Sequence, residues 1–389
     1  MTHVIAGPFS TYQLAVLGAD VIKIEPPDNP DMVRFDGGDM EQAAQGMGSV
    51  FLTQNANKKS VAVDIRSKRG RDIILQLLKE ADVLVENYRP GALEKLGLGY
   101  NAVKEICPDI VYCSLSGYGQ DGPMGGLTSY DNVIQAISGL MASTGSDESG
   151  VMKVGPPVLD YGTGIQASFA IAAALYQRTF TGEGQRIDIA MQDAAIMLSS
   201  TNVTYLESAG KTSPLTGNQS GSNAGYGCFK TRAGALMLGA YTGEQMYNAW
   251  RVLGDTEHGE KLRTLKSFEM AAHQKADRAR MEKILLTADA DEWEQRFNDA
   301  KVPAARVRNI DETMTHDQLN HRNVLHRISV GESEVSLPVA AFKYHSNGPS
   351  IRSAPPRHGE HTLEILGQAG FSAEVLQQLI ADGVIAGQT

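Results

Sequence analysis

Apolar positions along residues 1–114 recur with two alternating periods. Residues 21–24 (VIKI), 60–64 (SVAVD), 83–86 (VLVE) and 109–114 are short, β-branched-rich runs, which predicts four strands. Between them, residues 10–17, closed by Gly18, and residues 68–80 have apolar side chains at helical spacing. The second of these carries Ile73, Ile74, Leu77 and Leu78. Strands separated by helices predict βαβ units and a parallel sheet. Ligands of such sheets bind beyond strand C-termini. Asn87-Tyr88-Arg89-Pro90-Gly91, which ends the third strand, is therefore a candidate binding segment on geometry alone.

Further along, Gly155-Pro156-Pro157 interrupts the pattern. A long buried helix is predicted over 161–178, a strand over 186–190 and a helix over 193–206. Residues 211–227 are rich in Gly, Ser, Thr and Asn and read as a linker or a binding loop. Two strands across Arg232-Ala233-Gly234 and helices over 244–253, 266–286 and 291–298 predict a smaller α+β domain. Helical patterns return at 362–366 and 373–379. The expected organisation is a large domain over 1–195, a linker over 196–226, a small domain over 227–305, and a return segment over 306–389 that rejoins the large domain.

Composition narrows the functional classes. Lys plus Arg is 35 and Asp plus Glu is 45, for a net charge of −10. Nucleic-acid binding needs a basic footprint, so no nucleic-acid partner is expected. A local basic pocket for one anion stays possible. The apolar-leaning run 165–176 is too short to span a bilayer, so no membrane partner is expected. Cys107, Cys113 and Cys228 fit no metal or redox spacing, and a reduced, cytoplasmic setting is expected. Phosphate-loop, His-Glu-x-x-His and Gly-x-Ser-x-Gly motifs are absent from the sequence.

Asp160 stands between the Pro/Gly turn and an apolar helix, in Val154-Gly155-Pro156-Pro157-Val158-Leu159-Asp160-Tyr161-Gly162-Thr163-Gly164. Two readings follow. An Asp at a helix start is a good N-cap. A carboxylate flanked by glycines is also a candidate nucleophile, because a bulky thioester can approach it and free backbone N–H groups can hold an oxyanion.

Several ordered segments together resemble the class III CoA-transferases, the group that includes formyl-CoA:oxalate and carnitine CoA-transferases. They are His3-Val4-Ile5-Ala6-Gly7-Pro8, Leu17-Gly18-Ala19-Asp20-Val21-Ile22-Lys23-Ile24-Glu25, Asn57-Lys58-Lys59-Ser60, residues 82–91, Thr181-Gly182-Glu183-Gly184-Gln185 with Met191-Gln192-Asp193-Ala194, and Gly359-Glu360-His361-Thr362. The resemblance implies an α/β fold: a Rossmann-like large domain with a parallel sheet, plus a smaller α+β domain, in an interlocked homodimer. It implies acyl-CoA and a small carboxylic acid as partners, the CoA thioester being substrate, with no separate cofactor and no metal. It implies Asp160 as nucleophile and Val4, Ile5, Ala6, Arg34, Val63, Asn87, Tyr88 and Lys95 as CoA contacts. Arg34 and Lys95 are the cations for CoA phosphates.

The chain departs from the family pattern in three places. Ile5 stands where some members have a glutamine over the aspartate, so oxyanion support must come from the backbone or another residue. Thr128 replaces a basic CoA contact of some members. Relatives also open with one more strand before the His3 segment. The related α-methylacyl-CoA racemases, an alternative reading, use a histidine opposite the aspartate; the aligned residue here is Tyr130, and a tyrosine with its ordinary pKa near 10 is a poor base. A non-catalytic acyl-CoA-binding protein is the other alternative, against which the setting of Asp160 counts.

Overall fold

The structure is a computed structural model that describes residues 1–266 and 268–387. The chain divides into two units. One comprises Met1–Leu140, Lys153–Lys211 and the chain from Asn320 onward; the other comprises Met141–Met152 and Thr212–Leu319.

In the first unit, α1 (Ala6–Val16) leads into β1 (Val21–Glu25), which pairs in parallel with β2 (Lys58–Val63). Helix α2 (Lys68–Leu78) starts where Ser67 Oγ accepts the Gly70 N–H at 3.0 Å and buries the Ile73, Ile74 and Leu78 stripe. β3 (Val83–Glu86), β4 (Val111–Ser116) and β5 (Arg186–Ala190) form an all-parallel sheet in that order. β4 is central, and all of its residues except the last are buried, which is why it reads as an unbroken run rather than an alternation.

Two helices position the site. α3 (Asp131–Ile137) is short, and α4 (Val158–Thr181) begins three residues earlier than predicted and runs to Thr181, where Gly182 closes it at φ +71°. α4 is long and apolar enough by composition to cross a bilayer, yet its Leu159, Ala167 and Ile171 stripe lies in a core shared with Ala6, Val85 and Leu115. A Cβ on Gly164 would lie 2.8 Å from the Ala6 carbonyl oxygen and 2.9 Å from the Phe9 ring. Glycine there lets α1 approach α4 at close range. The predicted helix over 193–206 is two helices, α5 (Met191–Leu198) and α6 (Ser200–Ala209), broken at Ser199. The expected linker over 196–226 is therefore helical at its start, and the unit boundary falls after Lys211 instead.

The second unit carries the predicted hairpin, β6 (Tyr226–Lys230) with β7 (Ala235–Gly239), and β8 (Ala304–Arg306) on the free side of β7, all antiparallel. α7 (Gly243–Val252) is held by a Thr242/Gln245 capping box, and α8 (Gln274–Leu285) and α9 (Ala290–Asp299) complete the core around Trp250, Phe297 and Met281. This unit extends beyond the expected 227–305. Residues 141–152 join it because the Gly145 carbonyl accepts the Gly217 N–H at 2.6 Å, a pairing between distant segments.

The return segment contains a hairpin beyond the predicted elements: β9 (Leu325–Val330) and β10 (Ser333–Pro338), turned at Gly331 with φ +61°. It sits over α1, whose Tyr12 hydroxyl donates to the Pro338 carbonyl at 2.7 Å. α10 (Thr362–Gln368) and α11 (Ala373–Ala381) follow, and β11 (Ile385–Ala386) closes the first sheet antiparallel to β2, in the order β1-β2-β11.

Candidate active site

The site is built where the start of α1 meets the start of α4. Asp160 occupies the first turn of α4, where the nearby Ala6 N–H favours the charged form of its carboxyl. It is not the N-cap: that position belongs to Pro157, which has no side chain to cap with. The capping is done from α3. Asp131 Oδ2 accepts the N–H groups of Leu159 at 2.7 Å and Asp160 at 3.1 Å, and Asp131 Oδ1 accepts from the Gln135 amide. Gln135 in turn accepts the Val154 N–H at 2.9 Å through Oε1, fixing the segment that enters α4.

The electrostatics follow from this layout. Burial, and secondly the Asp131 carboxylate, push the Asp160 carboxyl up to about 7 from an ordinary 3.8; the Ala6 N–H acts in the opposite direction. Tyr161 lies beside it, its hydroxyl raised by burial and by Asp160, and its ring meets Phe9 edge-on at 4.8 Å. The backbone donor that the missing glutamine at Ile5 demands is thus the first free N–H of α1, Ala6.

The loop carrying Ala6 is held residue by residue. Asn87 exchanges two 2.8 Å hydrogen bonds with the His3 backbone, one donated and one accepted. Tyr88 sits against the His3 ring with centroids 5.5 Å apart, and burial pushes its hydroxyl up to about 12. Val4 lies at φ +64°, a left-handed conformation that costs a β-branched residue roughly 1–3 kcal/mol and persists only where its surroundings enforce it. Its N–H donates to Asp31 Oδ1 at 3.1 Å, and its carbonyl accepts from Gln54 Nε2 at 3.1 Å.

Of the expected residues, the structure therefore brings Val4, Ile5, Ala6, Asn87, Tyr88 and Asp160 together around one loop. Three others lie elsewhere. Val63 is fully buried in β2, opposite Ile385. Lys95 is exposed at the end of the short helix Ala92–Lys95. Arg34 corrects an expectation. Its side chain is 1% exposed, forms a two-pronged ion pair with Glu25 at 2.8 and 2.6 Å, donates to the carbonyls of Gly46 and Pro356, and stacks on Phe51 at 3.8 Å. A guanidinium so enclosed has no face left to grip a CoA phosphate. Sequence reasoning missed Asp131, Asp31, Lys23 and Gln54. Asp131 had a local signal, an acid opening a predicted segment after Tyr130, but its partner is 29 positions away.

Parallel sheets with a half-buried carboxylate held between two helix starts define an α/β enzyme built around an acidic side chain. Comparison with known proteins makes this specific. The model of CoA-transferase family III matches residues 1–362, and the chain belongs to that family. It is 34% identical over 394 residues to the succinyl-CoA:glutarate CoA-transferase of Homo sapiens, spanning 99% of this chain and 88% of that protein. It is 31% identical over 409 residues to the formyl-CoA:oxalate CoA-transferase of Streptomyces coelicolor, spanning 99% and 97%. The crystal structure of a CaiB/BaiF family protein from Brucella suis superposes with a TM-score of 0.83 at 28% identity, covering 95% of this chain and 97% of that one. The chain is an enzyme of the CoA-transferase class, and acyl-CoA and carboxylate substrates fit it.

Proposed function

We propose that this enzyme moves CoA from an acyl-CoA donor to a carboxylic acid through covalent intermediates on Asp160. The observation that carries the reading is the Asp160 carboxyl itself, half-buried, raised to about 7 and facing the Ala6 N–H. A carboxylate with a raised pKa is a stronger nucleophile than an ordinary one, yet a sizeable fraction stays ionised near neutrality. Ionised Asp160 attacks the thioester carbonyl and expels CoA thiolate, leaving an aspartyl-acyl anhydride. The thiolate attacks the aspartyl carbonyl, releasing the first acid and forming an aspartyl-CoA thioester. The acceptor carboxylate attacks that thioester to form a second anhydride, and the thiolate then takes the new acyl group and frees Asp160. Ala6 N–H supports the oxyanion that forms whenever the aspartyl carbonyl is attacked. Holding CoA by its nucleotide throughout keeps the thiolate at high effective concentration. Each step exchanges a thiolate and a carboxylate at an acyl carbon, so the CoA thioester is the only cofactor-like group the chemistry calls for.

The test is mass spectrometry of the protein after incubation with a panel of acyl-CoAs that includes succinyl-CoA and formyl-CoA. A CoA-mass adduct on the peptide carrying Asp160, absent in Asp160→Ala, is expected. Full turnover by Asp160→Ala overturns the assignment.

The same reading includes a cytoplasmic homodimer. The dimer is supported by the outward face of α4, where Ile165, Phe169, Tyr176 and Phe180 recur at helical spacing and Phe169 and Phe180 are 71% and 72% exposed. Sedimentation equilibrium should give twice the 41.8 kDa chain mass, with Phe169→Glu shifting it toward one chain. A monomeric parent protein at micromolar concentration removes the dimer.

A further inference from the structure

The loop from Thr2 to Ala6 presents an arrangement that packing alone does not explain. Val4 adopts φ +64°, where a β-branched side chain is disfavoured, two residues before Ala6, whose carbonyl would lie 2.8 Å from a Cβ on Gly164 of α4 and whose N–H favours the charged form of Asp160. Its two backbone polar groups are each taken by a buried side chain from a different element. Asp31 Oδ1 accepts the Val4 N–H at 3.1 Å, and Gln54 Nε2 donates to the Val4 carbonyl at 3.1 Å. Asp31 is itself anchored: its Oδ2 accepts from Lys23 Nζ at 2.9 Å, and the same ammonium donates to the Thr2 carbonyl at 2.8 Å. The Lys23 and Asp31 side chains are 2% and 1% exposed.

Two energetic features point the same way. A buried ion pair adds little net stability over an apolar pair of the same shape, and its best-attested use is to fix one arrangement. Gln54 is fully buried, and its Oε1 has no hydrogen-bond partner among the described residues. Leucine would fill that space without an orphaned oxygen. What the amide adds is the donor to Val4 and a second to the Val50 carbonyl at 2.8 Å.

We propose that Asp31, anchored by Lys23, and Gln54 are positioning residues for the nucleophile: they clamp the Val4 turn in its left-handed conformation and thereby aim the Ala6 N–H at the Asp160 carboxylate. The proposal rests on Asp160 being the nucleophile. None of the three touches the reacting atoms. They act through the backbone, which explains how a chain with isoleucine at position 5 keeps a donor over its aspartate. Other groups also face Asp160: Asp131 from α3 raises its carboxyl, and Tyr161 lies beside it on α4. Both stay unchanged in the variants below. Lys23 and Asp31 carry opposite charges, so removing both leaves the net charge as it was.

The experiment follows the Asp160 carboxyl directly, by carbon NMR of protein labelled at the aspartate carboxyl carbons, with the Asp160 signal assigned by its loss in Asp160→Asn. It needs no substrate. Gln54→Leu and the paired Lys23→Met/Asp31→Ala should each move the Asp160 midpoint upward by about one pH unit, because a donor to the charged form is misaligned. Val4→Gly should restore part of that shift when added to either variant, since glycine adopts positive φ freely. Circular dichroism confirms that the variants compared are folded; should the paired variant fail to fold, Gln54→Leu alone decides. A folded Gln54→Leu with an unmoved midpoint overturns the proposal, as does a shift that Val4→Gly leaves untouched. Failure of the nucleophile reading looks different: no adduct forms on Asp160 with any donor, whatever the titration does.

Discussion

Asp131 Oδ2 accepts the backbone N–H of Asp160 at 3.1 Å, so one acidic residue caps the helix turn that carries the other. The cap does two opposed things. It satisfies N–H groups at the start of α4 that have no helical partner. It also sets a second carboxylate against the Asp160 side chain, which raises the carboxyl proposed to carry the chemistry.

Asp131→Asn separates these two effects. The variant keeps an acceptor for the Leu159 and Asp160 amides and removes the charge. The acid limb of kcat/KM against pH should move to lower pH, and the rate at pH 6 should rise relative to its own plateau. Asp131→Ala removes the acceptor as well and should cost about 1 kcal/mol of stability in addition. An acid limb that stays in place in Asp131→Asn would mean that burial alone raises Asp160.

Asp160→Asn should stabilise the protein while abolishing transfer. The folded-state carboxyl titrates near 7 against an ordinary 3.8, so the folded chain holds this proton more tightly than the unfolded one. This group's contribution is therefore fully favourable below about pH 4 and is lost as pH rises toward 7. The rise corresponds to at most about 4 kcal/mol. Urea unfolding should find Asp160→Asn more stable than the parent at pH 8 and nearly equal to it at pH 4. Equal stabilities at pH 8 would show that the ionised carboxylate is well accommodated.

Arg34→Ala should act on stability rather than on CoA affinity. It strands Glu25, whose carboxyl Arg34 helps to hold down at about 2 against burial that works to raise it. Leaving one partner of a buried pair uncompensated costs about 3–5 kcal/mol. Because the Glu25 pKa is depressed, the stabilisation is present above about pH 4.5 and fades as pH falls toward 2, so the variant's deficit shrinks in acid. Thermal melts at pH 7 and 3, with acyl-CoA calorimetry below the melting range, check this. Weakened binding with an unchanged melting temperature would place Arg34 at the ligand after all.

Tyr130 is the residue on which a racemase reading depends, and it is 58% exposed at the N-cap of α3. Tyr130→Phe should keep transfer within a few-fold, and a 2-methylacyl-CoA in deuterated water should gain little α-deuterium. Rapid exchange that needs both Tyr130 and Asp160 would assign the protein to the racemases.

The strands of the first hundred residues, the helix that carries Asp160 and the β6–β7 hairpin were legible because their signals are local. Apolar period, β-branched runs and Gly punctuation act within a few residues. The β9–β10 hairpin has a local signal too, alternation on both sides of Gly331. Asp160 was legible as a candidate residue, yet the capping reading was assigned to the wrong aspartate, because a cap supplied by Asp131 crosses 29 positions. Arg34 shows the same limit from the other side. As a loop arginine it reads as a free cation for phosphate, and only folding brings Glu25, the Gly46 and Pro356 carbonyls and Phe51 around it.

The sequence by itself determined the alternation of strands and helices, the family pattern and the acid at the start of α4, since each is written in residue types and short spacings. Tertiary structure alone decided which backbone amide meets Asp160, which carboxylate caps its helix, and which cations are engaged in the interior. Those outcomes depend on burial and on hydrogen bonds between segments far apart in the chain. Burial sets both the charge a carboxyl can carry and the φ a valine can be made to hold.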